Sequence, residues 1–151
     1  MASLVVFIAL VAAAALTGGL FRPGAWYEAL AKPVWTPPDW LFAPTWTVLY
    51  VAIAVAGWLA WRRAGARADR AVAIWGVQLV LNAAWTWLFF GQHQMLLALL
   101  DIAALLACIL AFIVISMKAN RWAAWLFVPY ALWVTYASAL NLALWRLNPG
   151  A

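Results

Sequence analysis

Hydrophobic positions along the chain fall into five long blocks separated by short polar or proline-bearing breaks. The blocks run roughly from Leu4 to Phe21, Pro44 to Trp61, Ala71 to Phe90, Gln94 to Met117 and Trp122 to Trp145. Each approaches the length, about 20 residues, that an α-helix needs to cross the hydrocarbon core of a bilayer. The breaks are RPG at Arg22 to Gly24, RRAGARADR at Arg62 to Arg70, GQHQ at Gly91 to Gln94 and KANR at Lys118 to Arg121. Lipid offers no partner to a free backbone amide, so apolar blocks of this length predict helices. The pattern predicts an all-α membrane protein, a five-helix transmembrane bundle forming a single domain over residues 1–151. One connection is unusual. From Ala31 to Tyr50 the chain reads AKPVWTPPDWLFAPTWTVLY, with four prolines and three tryptophans. Proline fixes φ and pushes the residue before it into extended backbone, so this first loop is expected to be ordered.

Polar and aromatic residues inside the blocks recur at helical spacing. Trp75, Gln78, Asn82, Trp85 and Phe89 share one face of the third block, Tyr130, Trp133, Ala137 and Asn141 one face of the fifth, and Trp46 and Tyr50 lie one turn apart on the second. Amides are costly against lipid, so these faces are expected to point inward. Asp101, an acid within the fourth block, marks either function or an interior partner. Such residues also serve as hydrogen-bonding glue between helices. Three stripes on different helices of so small a bundle favour a pocket with flat aromatic walls and a few polar contacts, suited to a large planar ligand. Trp58, Trp61, Trp122, Trp125 and Trp145, near predicted helix ends, are read as interfacial anchors. Small-residue ridges at Ala103, Ala107 and Ala111, at Ala14 with Gly18, and at Ala15 with Gly19 permit close helix approach, within the bundle or between two copies.

Composition narrows the chemistry. Of 151 residues, 70% are hydrophobic and 9% charged, whereas a soluble domain carries about a quarter charged residues. The net charge of +5 sits in the breaks, where it sets orientation in a membrane, and no nucleic-acid partner is expected. Arg62, Arg63, Arg67, Arg70, Lys118 and Arg121 fall on one side, and Arg22, Lys32 and Arg146 on the other. This bias predicts a cytoplasmic N-terminus and an external aromatic loop. No basic residue precedes the first apolar core, so that block is read as a retained helix and not a signal peptide. Cys108 is the only cysteine and His93 the only histidine, which leaves no expected metal site and no conventional catalytic triad.

The loop KPVWTPPDW, the helix entry PTWTVLY, the NAAW of the third block and the PYALWVTYASALN of the fifth resemble the TspO/MBR family, the tryptophan-rich sensory proteins of bacteria and translocator proteins of mitochondria. The resemblance covers nearly the whole chain, in order. It implies a bacterial integral membrane protein of five helices, often a homodimer, whose pocket opens beneath the first loop. It further implies tetrapyrrole ligands (protoporphyrin IX or haem), drug-like isoquinoline carboxamides and cholesterol, with no required cofactor. By the resemblance, Trp46 and Trp133 face the pocket, Asn82 and Ala137 line it, and Trp35 and Trp40 belong to the loop that lids it. Tyr50, Trp85, Phe89 and Asn141 join the candidate ligand-binding set from the stripes above. Some bacterial relatives promote light- and oxygen-dependent breakdown of protoporphyrin IX, an activity linked to the two pocket tryptophans, which makes Trp46 and Trp133 candidate photochemical residues. The implied function is a receptor or sensor that regulates tetrapyrrole metabolism or promotes photooxidative porphyrin degradation. Transport of tetrapyrroles or sterols is the alternative. The sterol motif of animal members, which requires a tyrosine shortly before a basic residue at the end of the last helix, is lost here. LNLALWR places Leu142 and Ala143 where that tyrosine would stand.

Overall fold

The computed structural model describes residues 2–63 and 65–150. Met1, Ala151 and Ala64, the last within the predicted basic break, lie outside the described residues. Among the described residues there are six α-helices: α1 (Ala2–Leu20), α2 (Ala25–Ala29), α3 (Phe42–Trp61), α4 (Ala66–Thr86), α5 (Met95–Ala119) and α6 (Arg121–Leu147). A 3-10 turn at Asp39–Leu41 leads into α3, and a π-helical turn at Trp87–Gly91 extends α4. All but α2 belong to segments long and apolar enough to span a membrane, five in number, and there is no strand among the described residues. The fold class is that of the five-span bundle expected from the hydrophobic pattern.

Two elements differ from the sequence expectation. The basic stretch before Ala71 is helical, because alanine and arginine are strong helix formers. It begins after Gly65, whose φ of 107° is open to a residue without a Cβ. Arg67 and Arg70 therefore ride on α4. The second difference is α2, a five-residue helix inside the first loop. Its Tyr27 is buried, with the Lys32 ammonium 4.6 Å from the ring centroid. Burial, with the Asp39 charge and Tyr136 adding, raises the Tyr27 phenol above its ordinary pKa.

Packing closes the spans into a ring. α1 lies on α3 and α4, α3 on α6, α6 on α5 and α5 on α4, while α3 also reaches α4 across the middle. Close approach is permitted by small buried residues, among them Ala54, Ala56, Gly57 and Ala60 on α3 and Ala123 and Ala124 on α6. Phe112 and Phe127 meet at 4.0 Å in the centre of the main core. A second, smaller core around Tyr27, Leu30, Phe89, Met95, Leu140 and Leu144 sits under α2. Outward, residues such as Val5, Leu16, Val80, Leu100 and Val114 are exposed, as expected of a lipid-facing surface. Of the small-residue ridges, Ala14 faces the bundle interior, whereas Ala103 and Ala107 face outward.

The belt tryptophans divide similarly. Trp61, Trp122 and Trp125 are exposed at helix ends. Trp58 also ties helices together, because its indole N–H donates to Ser3 Oγ at 3.1 Å. Asn120 organises the turn between α5 and α6. Its amide accepts from the Trp122 N–H at 3.2 Å as the cap of α6 and donates to the Leu59 carbonyl at 3.1 Å.

Candidate functional site

At the end of the bundle beneath the proline-rich loop, a groove of about 670 Å³ runs between α3 and α6. Its walls follow helical spacing. Pro44 and Val48, and Thr45 and Leu49, are i,i+4 pairs on α3, while Pro129, Leu132 and Trp133 make one i,i+3,i+4 face of α6. Trp40 and Leu41 of the 3-10 turn complete it from the loop side. Pro129 cannot donate to the carbonyl one turn earlier, so α6 loses a backbone bond where it borders the groove. A smaller cavity of about 330 Å³ lies at the opposite end of α3, beside Trp61, Arg63 and Asp69. It holds none of the residues singled out from the stripes or the resemblance.

Aromatic contacts connect the groove to the loop. The Trp133 ring stands edge-on to Phe42 at 5.8 Å and is tilted against Tyr136 at 5.8 Å. Tyr136 in turn meets Trp35 edge-on at 5.7 Å and donates its hydroxyl proton to the Trp35 carbonyl at 2.7 Å. Trp35 is 45% exposed and Trp40 72% exposed, so both indoles still offer apolar surface.

Behind the groove lies a polar chain with one direction. Tyr50 donates to Asn82 Oδ1 at 3.2 Å, Asn82 Nδ2 donates to the Tyr130 oxygen at 3.0 Å, and Tyr130 donates to Gln78 Oε1 at 3.0 Å. Trp46 covers the Tyr50 end, 5.2 Å from that ring and edge-on to Tyr130 at 6.3 Å. Gln78 Nε2 and Asp101 Oδ2 are buried without a hydrogen-bond partner among the described residues. Asp101 lies one turn from the buried Ala98 and Leu105, on the inner side of α5.

The structure therefore distributes the candidate residues over three neighbouring places. Trp40 and Trp133 border the groove, and Trp35 lies against Tyr136 above it. Trp46, Tyr50 and Asn82 form the polar and aromatic layer behind it. Trp85, Phe89 and Asn141 belong to the loop-side packing. Trp85 stacks on Phe89 at 5.2 Å and donates to Asn141 Oδ1 at 3.1 Å, while Asn141 Nδ2 donates to the Met95 carbonyl at 3.0 Å. Ala137 is half-buried, one turn from both Trp133 and Asn141. Leu41, Leu132, Pro129 and the groove residues of α3 do not stand out in the sequence as site residues. Valine, leucine and threonine in a membrane helix carry no individual signal, but a proline inside the apolar run LFVPYALW was a usable one.

A sequence profile described as the TspO/MBR family matches residues 7–146. The chain is similar to Protein CrtK of Rhodobacter capsulatus, at 39% identity over 96% of this chain and 92% of the relative. It is similar to the tryptophan-rich sensory protein of Cereibacter sphaeroides, at 37% identity over 94% of this chain and 89% of the relative. Similarity extends to the human translocator protein, at 38% identity over 83% of this chain and 76% of the relative.

Proposed function

The chain belongs to the TspO/MBR family of membrane sensor and translocator proteins, and from that premise we propose that it binds a tetrapyrrole such as protoporphyrin IX or haem at the α3–α6 groove. In this reading it acts as a receptor that adjusts tetrapyrrole metabolism or promotes photooxidative porphyrin degradation. The groove itself carries the reading. It is apolar, walled by the indoles of Trp40 and Trp133 and open to the lipid side, where Val48 and Leu132 are exposed, so an apolar planar ligand enters it from the membrane. A flat macrocycle stacks on such rings, and its carboxylates reach the loop end of the bundle, where Arg22, Lys32 and Arg146 lie. Light excites the bound macrocycle and dioxygen supplies the oxidant. In this proposal Trp133 at the wall and Trp46 behind it quench or react with the oxidising products.

Titration of protoporphyrin IX by tryptophan quenching tests the site. Trp133→Ala is expected to weaken binding about tenfold, the loss of one stacked aromatic wall. Trp133→Phe is expected to weaken it less, and Trp46→Phe least, because Trp46 is set behind the groove. Unchanged affinity and unchanged photobleaching in all three variants would remove the proposed roles. Turnover beyond one porphyrin per protein under light separates degradation from stoichiometric binding. A transport reading draws on the translocator name of the human relative and is checked by porphyrin uptake into proteoliposomes.

By the charge bias, we propose that the N-terminus is cytoplasmic and the loop external. Val34, fully exposed in that loop, supplies the reporter. In a Cys108→Ser background, a Val34→Cys variant is expected to react in intact cells with a thiol reagent that cannot cross the inner membrane. Labelling only after lysis would invert the topology.

A further inference from the structure

Resting on the reading of the groove as the ligand site, we propose that Asn148 and Tyr136 are positioning residues for the proline-rich loop, forming a two-point latch that sets how fast the groove is entered and left. The first point pairs side chain with backbone as two strands pair with each other. The Ala31 N–H donates to Asn148 Oδ1 at 2.8 Å, and Asn148 Nδ2 donates back to the Ala31 carbonyl at 3.0 Å. Asn148 Nδ2 also donates to the Leu144 carbonyl at 2.8 Å, which fixes the amide on the last turn of α6. The second point is the Tyr136 hydroxyl on the Trp35 carbonyl at 2.7 Å.

What lies between and beyond these points makes them matter. Leu30, just before Ala31, is buried in the second core, so the loop is firmly rooted there. Past Ala31 the other hydrogen bonds are internal to the loop. Thr36 bonds to the Pro33 carbonyl through both its N–H and its hydroxyl, and the Leu41 N–H donates to Pro38. Pro33, Pro37 and Pro38 have no N–H to give. The segment is stiff within itself, and among the described residues its hydrogen bonds to the spanning helices are the three made at these two points, on α6 and on its C-cap. It then delivers Trp40 and Leu41 to the groove. A stiff strap rooted at one end and held at two points opens as a unit when those points release, the kind of low-cost local opening that regulates access. Neither latch residue lines the groove, so a weakened latch keeps the Trp40 and Trp133 walls whenever the strap is closed, and changes the rates of entry and exit together.

The test uses the full chain in lipid nanodiscs, first without ligand. A Thr45→Cys reporter inside the groove, in a Cys108→Ser background, gives a thiol-labelling rate, and hydrogen exchange follows the amides of Ala31 and Thr36. Asn148→Ala and Tyr136→Phe are each expected to speed labelling about fivefold, the effect of one lost hydrogen-bonded contact. Asn148→Asp keeps an acceptor for the Ala31 N–H but sets its second oxygen against the Ala31 and Leu144 carbonyls, so it is expected to label at least as fast as Asn148→Ala. With protoporphyrin IX, association and dissociation are expected to accelerate in parallel, with the equilibrium constant moving by less than about twofold. Wild-type labelling and exchange rates in both latch variants would overturn the proposal. So would faster exchange at the Asn148 amide, bonded to the Leu144 carbonyl, with none in the loop, since that marks simple fraying of α6. Faster labelling in a protein that binds no porphyrin would uphold the latch and reject the ligand.

Discussion

Replacing Gly57 with alanine is expected to cost the bundle about 3 kcal/mol or more, from overpacking together with a lost buried hydrogen bond. A Cβ at Gly57 would lie 2.5 Å from Cε2 and Nε1 of Trp75 and 2.9 Å from Cδ1 of Phe7. Neither ring has room to retreat. Trp75 donates its indole N–H to the Ile53 carbonyl at 2.8 Å, one turn before Gly57, and Phe7 stands edge-on to it at 4.9 Å. Both rings are buried, and α1, α3 and α4 converge on this notch. A methyl group there must either push the indole off its acceptor, leaving a buried N–H unpaired, or spread three helices. Gly76 provides the control. It is also helical, but a Cβ added there meets nothing within 4 Å. Gly76→Ala is expected to be neutral or to stabilise by up to about 1 kcal/mol through helix propensity. Thermal unfolding in detergent, followed by near-ultraviolet circular dichroism of the tryptophans, reads both. Equal melting of the two variants would mean that the notch is not tight. Adding Trp75→Phe to Gly57→Ala is expected to recover part of the loss.

The Gly57 notch shows what the sequence made legible and what it did not. Apolar block length reported the five spans because a bilayer imposes that length on any helix that crosses it. The 3.6-residue period reported which face of α4 turns inward: Trp75, Gln78, Asn82, Trp85 and Phe89 are all buried or half-buried. Periodicity carries no information about what each residue meets at its own depth. Along that one face Trp75 goes to the Gly57 notch, Gln78 and Asn82 to the polar chain, and Trp85 and Phe89 to the packing beneath α2. Partners are a property of how helices are arranged, and the ring order α1–α3–α6–α5–α4 is written in no single segment. The loop shows the same division. Its prolines announced stiffness, but its attachment to the bundle runs through Tyr136 and Asn148, which lie 101 and 117 residues away along the chain from their partners.

Direction in the polar chain leads to the second large effect. Tyr130 is fully buried and is both acceptor and donor, taking a bond from Asn82 Nδ2 and giving one to Gln78 Oε1. Phenylalanine at this position keeps the ring and its edge-on contacts with Phe127 at 5.5 Å and Trp46 at 6.3 Å. It removes only the oxygen, and with it both bonds. Two groups, Asn82 Nδ2 and Gln78 Oε1, then lose partners at buried positions. Each orphaned group costs about 1–3 kcal/mol, reduced because a helix released into the membrane also finds other partners. Tyr130→Phe is therefore expected to destabilise by about 2–3 kcal/mol. Tyr50 stands at the head of the chain, half-buried, and makes one donation to Asn82 Oδ1. Its removal orphans a single acceptor, and Tyr50→Phe is expected to cost about 1 kcal/mol or less. The ordering of the two variants, measured by the same unfolding assay, is the informative quantity, since both remove one phenolic hydroxyl. If Tyr50→Phe proved as costly as Tyr130→Phe, the interior would not be organised around Tyr130. With the expected ordering, Tyr130 is the fixed point against which α3, α4 and α6 are aligned, and the groove one turn away on α6 inherits its rigidity from that alignment.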